Sequence, residues 1–302
     1  MVNRDSGILG INNDMSEKLP FYKRQRFLFA FIQQLKDSVT ATDLQKLVFL
    51  YSMKNNVKHY DFIPYKYGAY SFQLAQDIDI LREHGFLSSA TNRIKVIKYL
   101  PSSFIDSRYA EMLRGNQLIV KSYKEFPYYA INSDIAEKLL DKPTFQIVQE
   151  IKRKLSRSEN VIITIGYEGM TIEHFINVLI KNNSRLLCDI RQNPISRKFG
   201  FSKGKLQHIV ESIDIRYVHL PELGIESQKR KGINQSNGYN KLFDEYKNSL
   251  PTKQDALSKI YSFLASDNRV ALMCYEKDPK HCHRTLVKDF LVEHYDVKSV
   301  EL

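Results

Sequence analysis

The C-terminal half of this 302-residue chain predicts an α/β fold, a parallel sheet with helices on both faces. The N-terminal half predicts a mainly helical, winged-helix-like domain placed before it. Three observations carry this. From residue 161 onward, short apolar runs alternate with segments of helical period, the pattern of repeated βα units. Each apolar run ends in polar, chemically able residues, as loops at the carboxyl ends of parallel strands do. Residues 21–100 set three helical segments before a two-strand ribbon.

The first helix is predicted over Phe21 to Leu35, where Phe27, Phe31 and Leu35 share a face. Thr40 or Thr42 can cap a second helix through Leu44, Leu47, Val48 and Tyr51. Pro64 and Gly68 break the helical pattern before Ser71 caps a third helix through Leu74, Ile78 and Leu81, which Gly85 stops. Phe86-Leu87 and Ile94 to Lys98 read as a ribbon around a polar turn at Ala90-Thr91-Asn92. Residues 104–155 continue as helix, with Ile119, Tyr123, Ile131, Ile135, Leu139, Ile147 and Ile151 expected to point inward.

The basic run Lys152-Arg153-Lys154 and the serines after it mark a linker. Strands are expected at Val161–Ile165, Leu186–Ile190, Arg216–His219, Val270–Met273 and Lys298–Glu301. Helices are expected at Thr171–Asn182, Lys203–Ser212, Tyr239–Asn248, Thr252–Ser266 and His283–Glu293. The expected organisation is a mobile leader over 1–20, a domain over 21–155 and an α/β domain over 156–302.

Net charge is +11, and residues 1–155 hold 23 basic against 16 acidic side chains. That excess is the footprint of an anionic partner, and DNA is the partner expected. No apolar run approaches the roughly 20 residues a membrane span needs, so no membrane partner is expected. The N-terminus lacks a basic-then-apolar signal pattern, so a cytoplasmic protein is expected. Cys188, Cys274 and Cys282 cannot all pair, and reduced thiols are expected. A homo-oligomer is compatible with the sequence.

Chemistry concentrates where the apolar runs end. The first strand leads into Gly166-Tyr167-Glu168-Gly169, a tight turn whose backbone N–H groups could face an anion. Glu168 disfavours phosphate there and fits hydrogen bonding to a base or sugar. Alternation puts Asp189 and Arg191 on one side of their strand, as an ion pair or as a carboxylate with a phosphate-reaching Arg. Ser196 to Lys203, with Arg197, interleaves basic and aromatic residues suited to nucleic acid. His219 and Glu222 can line the same crevice, and residues 228–238 form a basic loop able to act as a lid.

The densest block is ALMCYEKDPKHCHR, from Ala271 to Arg284. Together with ITIGYEGMTIEHFINVL, LLCDIRQNPISRKFGFSK and IRYVHLPELGI, in that order, it resembles the domain of unknown function family 488, in its GYEG-type subgroup. The resemblance implies an α/β fold and a set of candidate residues, and no reaction. The YKYGAYS segment is similar to a turn of certain uncharacterised bacterial helix-turn-helix modules.

Three chemistries fit the block. Cys274 can be a nucleophile activated by a helix terminus and Arg284, although the loop between them is long for a phosphate-binding loop. Cys274, His281, Cys282 and His283 can bind zinc, against which stand an unusual spacing and consecutive ligands that should diverge. In the preferred chemistry Asp189 and Glu276 do acid–base work, Arg284 and a helix N-terminus hold a phosphate, and Cys274 is a wall residue. The reacting candidates are therefore Asp189, Glu276 and Cys274. The substrate-binding candidates are Gly166, Tyr167, Glu168, Arg191, Arg197, His219, Tyr275, His283 and Arg284. The function expected is a DNA- or nucleotide-directed hydrolase that cleaves an N-glycosidic bond or processes a modified base without a cofactor. A non-catalytic DNA-bound sensor and a nuclease using a divalent metal on Asp189 and Glu276 are the alternatives.

Overall fold

The computed structural model describes residues 22–35, 37–88, 93–98, 113–226, 229 and 236–302. The expected leader, the turn at Ala90-Thr91-Asn92 and most of the basic loop 228–238 lie outside the described residues.

Helices α1 (Lys23–Gln34), α2 (Ala41–Asn55) and α3 (Phe72–Glu83) open the chain. Thr40 caps α2 by accepting from Asp43 N at 3.0 Å, and Ser71 caps α3 by accepting from Leu74 N at 3.2 Å. Gly85, at φ +72°, ends the third helix in the left-handed conformation glycine tolerates. Between α2 and α3 the segment read only as a helix break is a hairpin, β1 (Ile63–Tyr65) and β2 (Gly68–Tyr70). The ribbon is present as antiparallel bridges, Leu87 with Val96, and Val39 with Ile94. A core of α1–α3 side chains, including Leu28, Leu44, Val48 and Leu74, holds this part together.

Helices α4 (Gly115–Glu125), α5 (Ala136–Leu139) and α6 (Lys142–Leu155) follow. The inward list needs one correction. Ile147 is 50% exposed and Val148 is the buried residue of α6. Its buried stripe runs through Phe145, Val148, Ile151 and Leu155, and Ile147 lies about 100° off it.

The rest is one five-stranded, all-parallel sheet of β3 (Val161–Gly166), β4 (Leu186–Asp189), β5 (Arg216–His219), β6 (Arg269–Cys274) and β7 (Lys298–Glu301), in the order β5-β4-β6-β3-β7. Side chains alternate across it. Ile163, Ile165, Leu187, Ala271 and Met273 pack under α7 (Ile172–Lys181) and α8 (Lys203–Glu211). Ile162, Leu186, Cys188, Val270 and Leu272 pack under α9 (Ser236–Ser249), α10 (Gln254–Asp267) and α11 (His283–Tyr295). Both faces are covered, as a parallel sheet requires.

This order positions the site. Strand β6 sits between β3 and β4, yet its following helix lies on the opposite face from theirs. The loops therefore part at the carboxyl end of β6, the topological position where open α/β sheets bind ligands. Helix α7 also carries the junction with the N-terminal elements. Asn177 Nδ2 donates to the Phe62 carbonyl at 2.7 Å, and Ser71 Oγ donates to Glu173 at 3.1 Å.

Candidate functional site

Gly166 and Cys274 are register partners, and Asp189 lies opposite Met273, so all three reach one edge of the sheet. Nevertheless the groups there do different work.

Asp189 is fully buried and both of its oxygens are filled. Arg191 donates from Nε to Oδ1 at 2.9 Å and from Nη2 to Oδ2 at 2.6 Å, and its own N–H bonds Oδ1 at 3.1 Å. Tyr217 donates to Oδ2 at 2.7 Å. Burial, and then the adjacent Asp189 charge, push the Tyr217 hydroxyl above its usual range, so it stays a donor at neutral pH. The remaining Arg191 nitrogen donates to the Tyr167 hydroxyl at 2.8 Å. The expectation of a reacting carboxylate at Asp189 is corrected on this geometry: it is one half of a buried bidentate pair tying β4 to β3 and β5.

The glycine turn is corrected in the same way. Tyr167 N–H donates to the Cys274 carbonyl, Glu168 N–H to Tyr275 and Met170 N–H to Tyr167, at 3.3, 2.9 and 3.1 Å. Those three donors are consumed by protein and do not face an anion. Gly166 has another purpose, because a Cβ there would overlap the Glu276 carbonyl oxygen and crowd Arg284. Only glycine lets the loop after β6 lie against the end of β3. Gly166→Ala is therefore expected to destabilise the fold by about 1–3 kcal/mol, as overpacking does, measured by urea unfolding. An unchanged midpoint would refute the close approach. Glu168, exposed at the rim, accepts from the Lys277 N–H at 3.0 Å and steadies the same loop.

Arg284, expected to clamp phosphate, is buried without exposure. Its Nη1 donates to the Glu276 carbonyl and its Nη2 to the Lys277 carbonyl, the latter at 3.0 Å. It holds the loop from within by spending both Nη groups on backbone carbonyls, while its buried Nε makes no hydrogen bond among the described residues.

The loop it holds brings Cys274, Glu276, Cys282 and His283 together, with one donor atom from each within 4.8 Å of all the others. Cys274 Sγ lies 2.9 Å from Glu276 Oε2, and Cys282 Sγ lies 3.1 Å from the same oxygen. His283 Nδ1 is 3.6 Å from Cys274 Sγ, and its Nε2 is 3.2 Å from the Ile190 carbonyl. That carbonyl can only accept, which assigns the ring proton to Nε2. Burial holds the Cys282 thiol well above its usual range. His281 points elsewhere, bonded to Asp278 at 3.0 Å on the surface. The expectation that consecutive side chains diverge fails because Cys282 is an extended residue (φ −133°, ψ 133°) capping α11 and His283 is its first helical residue. The change of backbone conformation between them turns both inward.

Above this lies a cavity of about 320 Å³ lined by Tyr167, Arg191, Arg197, Cys274 and Tyr275 with Gln192 and Asn193. Tyr167 stacks on Phe201 at 4.2 Å and meets Tyr275 edge-on at 5.3 Å. Tyr275 is 46% exposed and offers an open ring. Of the predicted residues, Tyr167, Arg191, Arg197, Cys274 and Tyr275 share this cavity. His219 sits two strands from β6, its Nε2 2.8 Å from the Arg191 carbonyl. Cys282, weighed only as a zinc ligand, is absent from the reacting and substrate-binding candidates, although it neighbours His283 in sequence.

A protein-family model described as "Domain of unknown function DUF488" matches residues 171–291. The matched stretch runs from the start of α7 into α11 and includes Asp189, Cys274, Glu276 and Cys282–Arg284. The GYEG turn precedes it. No curated protein and no solved structure matches the chain significantly. Among the described residues, no helix is long and apolar enough to cross a membrane.

Proposed function

We propose that this chain is a nucleotide-directed hydrolase, acting on a base or its glycosidic bond in DNA or a free nucleotide. The cavity is the nucleotide seat and Glu276 is the acid–base group. One observation carries the reading: Cys274 belongs both to the cavity wall and to the cluster containing Glu276. A base stacked on Tyr275 would then lie beside a carboxylate, with Arg197 for its phosphate. A target inside duplex DNA would have to be flipped out to reach this depth. The net charge of +11 supports an anionic substrate.

The nuclease reading loses support because Arg191 and Tyr217 already occupy both Asp189 oxygens. The N-terminal elements support a winged-helix reading through their helix order and the pairing of Val39 with Ile94. Helix α3 is a poor groove reader, however. It carries Asp77, Asp79 and Glu83 against Arg82, and Glu173 occupies its N-terminus. DNA contact is assigned to backbone electrostatics instead.

The test follows base release from modified and unmodified oligonucleotides and from nucleotides. Glu276→Gln is expected to slow turnover by roughly 10²–10⁴-fold with binding retained. Binding by the full chain is expected to weaken steeply with salt. The sensor reading is favoured by one feature: Glu173, in the first turn of α7 directly after the GYEG turn, caps α3, a short path from crevice to N-terminal elements. Salt-sensitive binding with no turnover of any substrate would replace the enzyme with that sensor.

A further inference from the structure

Two thiols, an imidazole and a carboxylate converge at one point, with one donor atom from each within 4.8 Å of all the others. Cys274 has one S–H proton and faces two acceptors, Glu276 Oε2 at 2.9 Å and, with the imidazole neutral, His283 Nδ1 at 3.6 Å. With the His283 proton held on Nε2 by the Ile190 carbonyl, one of those contacts sets lone pair against lone pair. A cation among the four donors removes the conflict. The structure assigns a zinc site here: Cys274 Sγ, Cys282 Sγ and His283 Nδ1 hold the ion, and Glu276 takes the fourth, exchangeable position.

The geometry fits that ion. Zinc–sulfur bonds of about 2.3 Å and zinc–nitrogen bonds of about 2.0 Å set tetrahedral edges of roughly 3.3–3.8 Å. The four donors lie within 4.8 Å of one another, so small rotations about their side chains complete the tetrahedron. A sulfur-rich, nitrogen-containing set selects zinc over the hard, oxygen-seeking magnesium and calcium. The bond from His283 Nε2 to a backbone carbonyl is the outer contact that orients metal-bound histidines.

Charge is also provided for. Two thiolates and a carboxylate around a divalent ion leave a net charge of −1. Cys282 and His283 stand at the N-cap and first turn of α11, a 13-residue helix whose positive end faces the cluster. Arg284 adds its own charge behind the loop. Cys274, Cys282 and His283 are buried, whereas Glu276 is half-exposed, so Glu276 is the ligand that solvent can displace. Water at that vertex would be acidified by the metal at the wall of the cavity. The site does not depend on the substrate being a nucleotide.

Cobalt tests this with a readout apart from activity. Full-length protein, reduced and stripped with chelator, is titrated with Co²⁺. The expected result is a thiolate-to-cobalt charge-transfer band that saturates at one equivalent and is bleached by Zn²⁺. Cys282→Ser should weaken cobalt binding beyond the roughly 10–100-fold that loss of an outer contact costs. Cys188→Ala, in the core between the sheet and α9–α11 and outside the cluster, should leave the band intact. If Cys282→Ser does not fold, Glu276→Gln is expected to keep the band and shift it by changing the fourth ligand. Absence of the band in the wild-type chain, or its persistence unaltered in Cys282→Ser and Glu276→Gln, overturns the site. A chain that binds no cobalt but hydrolyses nucleotides would sink this inference alone. A chain that binds cobalt and turns nothing over would sink the enzyme instead.

Discussion

Asp189→Asn is expected to destabilise the protein by about 3–5 kcal/mol, the cost of leaving a buried charge without its partner. The carboxamide cannot accept the forked bonds that Arg191 makes at 2.9 and 2.6 Å, and Arg191 itself is nearly buried. Tyr217 also loses its ionised acceptor. Urea unfolding reads the effect directly. The double variant Asp189→Asn with Arg191→Met should recover much of the loss, because replacing both members of a buried pair by neutral groups is far cheaper than breaking it. A loss below about 1 kcal/mol would mean that the pair behaves like a solvated surface bridge. It would also return Asp189 to the list of reacting groups.

That result bears on what a sequence can disclose. The i, i+2 spacing put Asp189 and Arg191 on one side of their strand, and the structure agrees. Their chemical state was not legible, because it depends on Tyr167 and Tyr217, supplied by the ends of two other strands. The strands themselves were easy to read, since runs such as Val161–Ile165 and Val270–Met273 are buried on both faces and carry no polar interruption except Thr164. The cluster of Cys274, Glu276, Cys282 and His283 was half legible. Cys274, Glu276 and His283 stood out as groups without a packing purpose, but choosing among His281, Cys282 and His283 required the backbone switch at the α11 cap. Arg284 misled for a related reason. A guanidinium beside a helix N-terminus resembles a phosphate clamp until the carbonyls of Glu276 and Lys277 are seen to face it.

Glu173 shows the limit most plainly, because its partners lie about a hundred residues away. Ser71 Oγ donates to Oε1 at 3.1 Å and the Gln73 N–H donates to the same oxygen at 2.8 Å, so this side chain of α7 caps α3. The other oxygen, Oε2, is buried and makes no hydrogen bond among the described residues. Burial raises the carboxyl pKa to about 7, and the capping bonds offset only part of that rise. An acid whose folded pKa exceeds its unfolded value binds its proton more tightly in the native state. The stability it contributes is complete below about pH 4.5 and is lost as pH rises through about 7. A shift of roughly 2.5 units corresponds to about 3 kcal/mol between pH 4 and pH 8. Glu173→Gln keeps the capping oxygen and cannot ionise. The difference in unfolding free energy between wild type and variant should therefore change by about 3 kcal/mol over that range, in the direction that disfavours the wild type at high pH. Taking the difference removes histidines and other groups that titrate alike in both proteins. A difference that stays flat from pH 4 to pH 8 would show that Glu173 is solvated in the folded protein, and that α7 and α3 do not meet through a buried carboxyl.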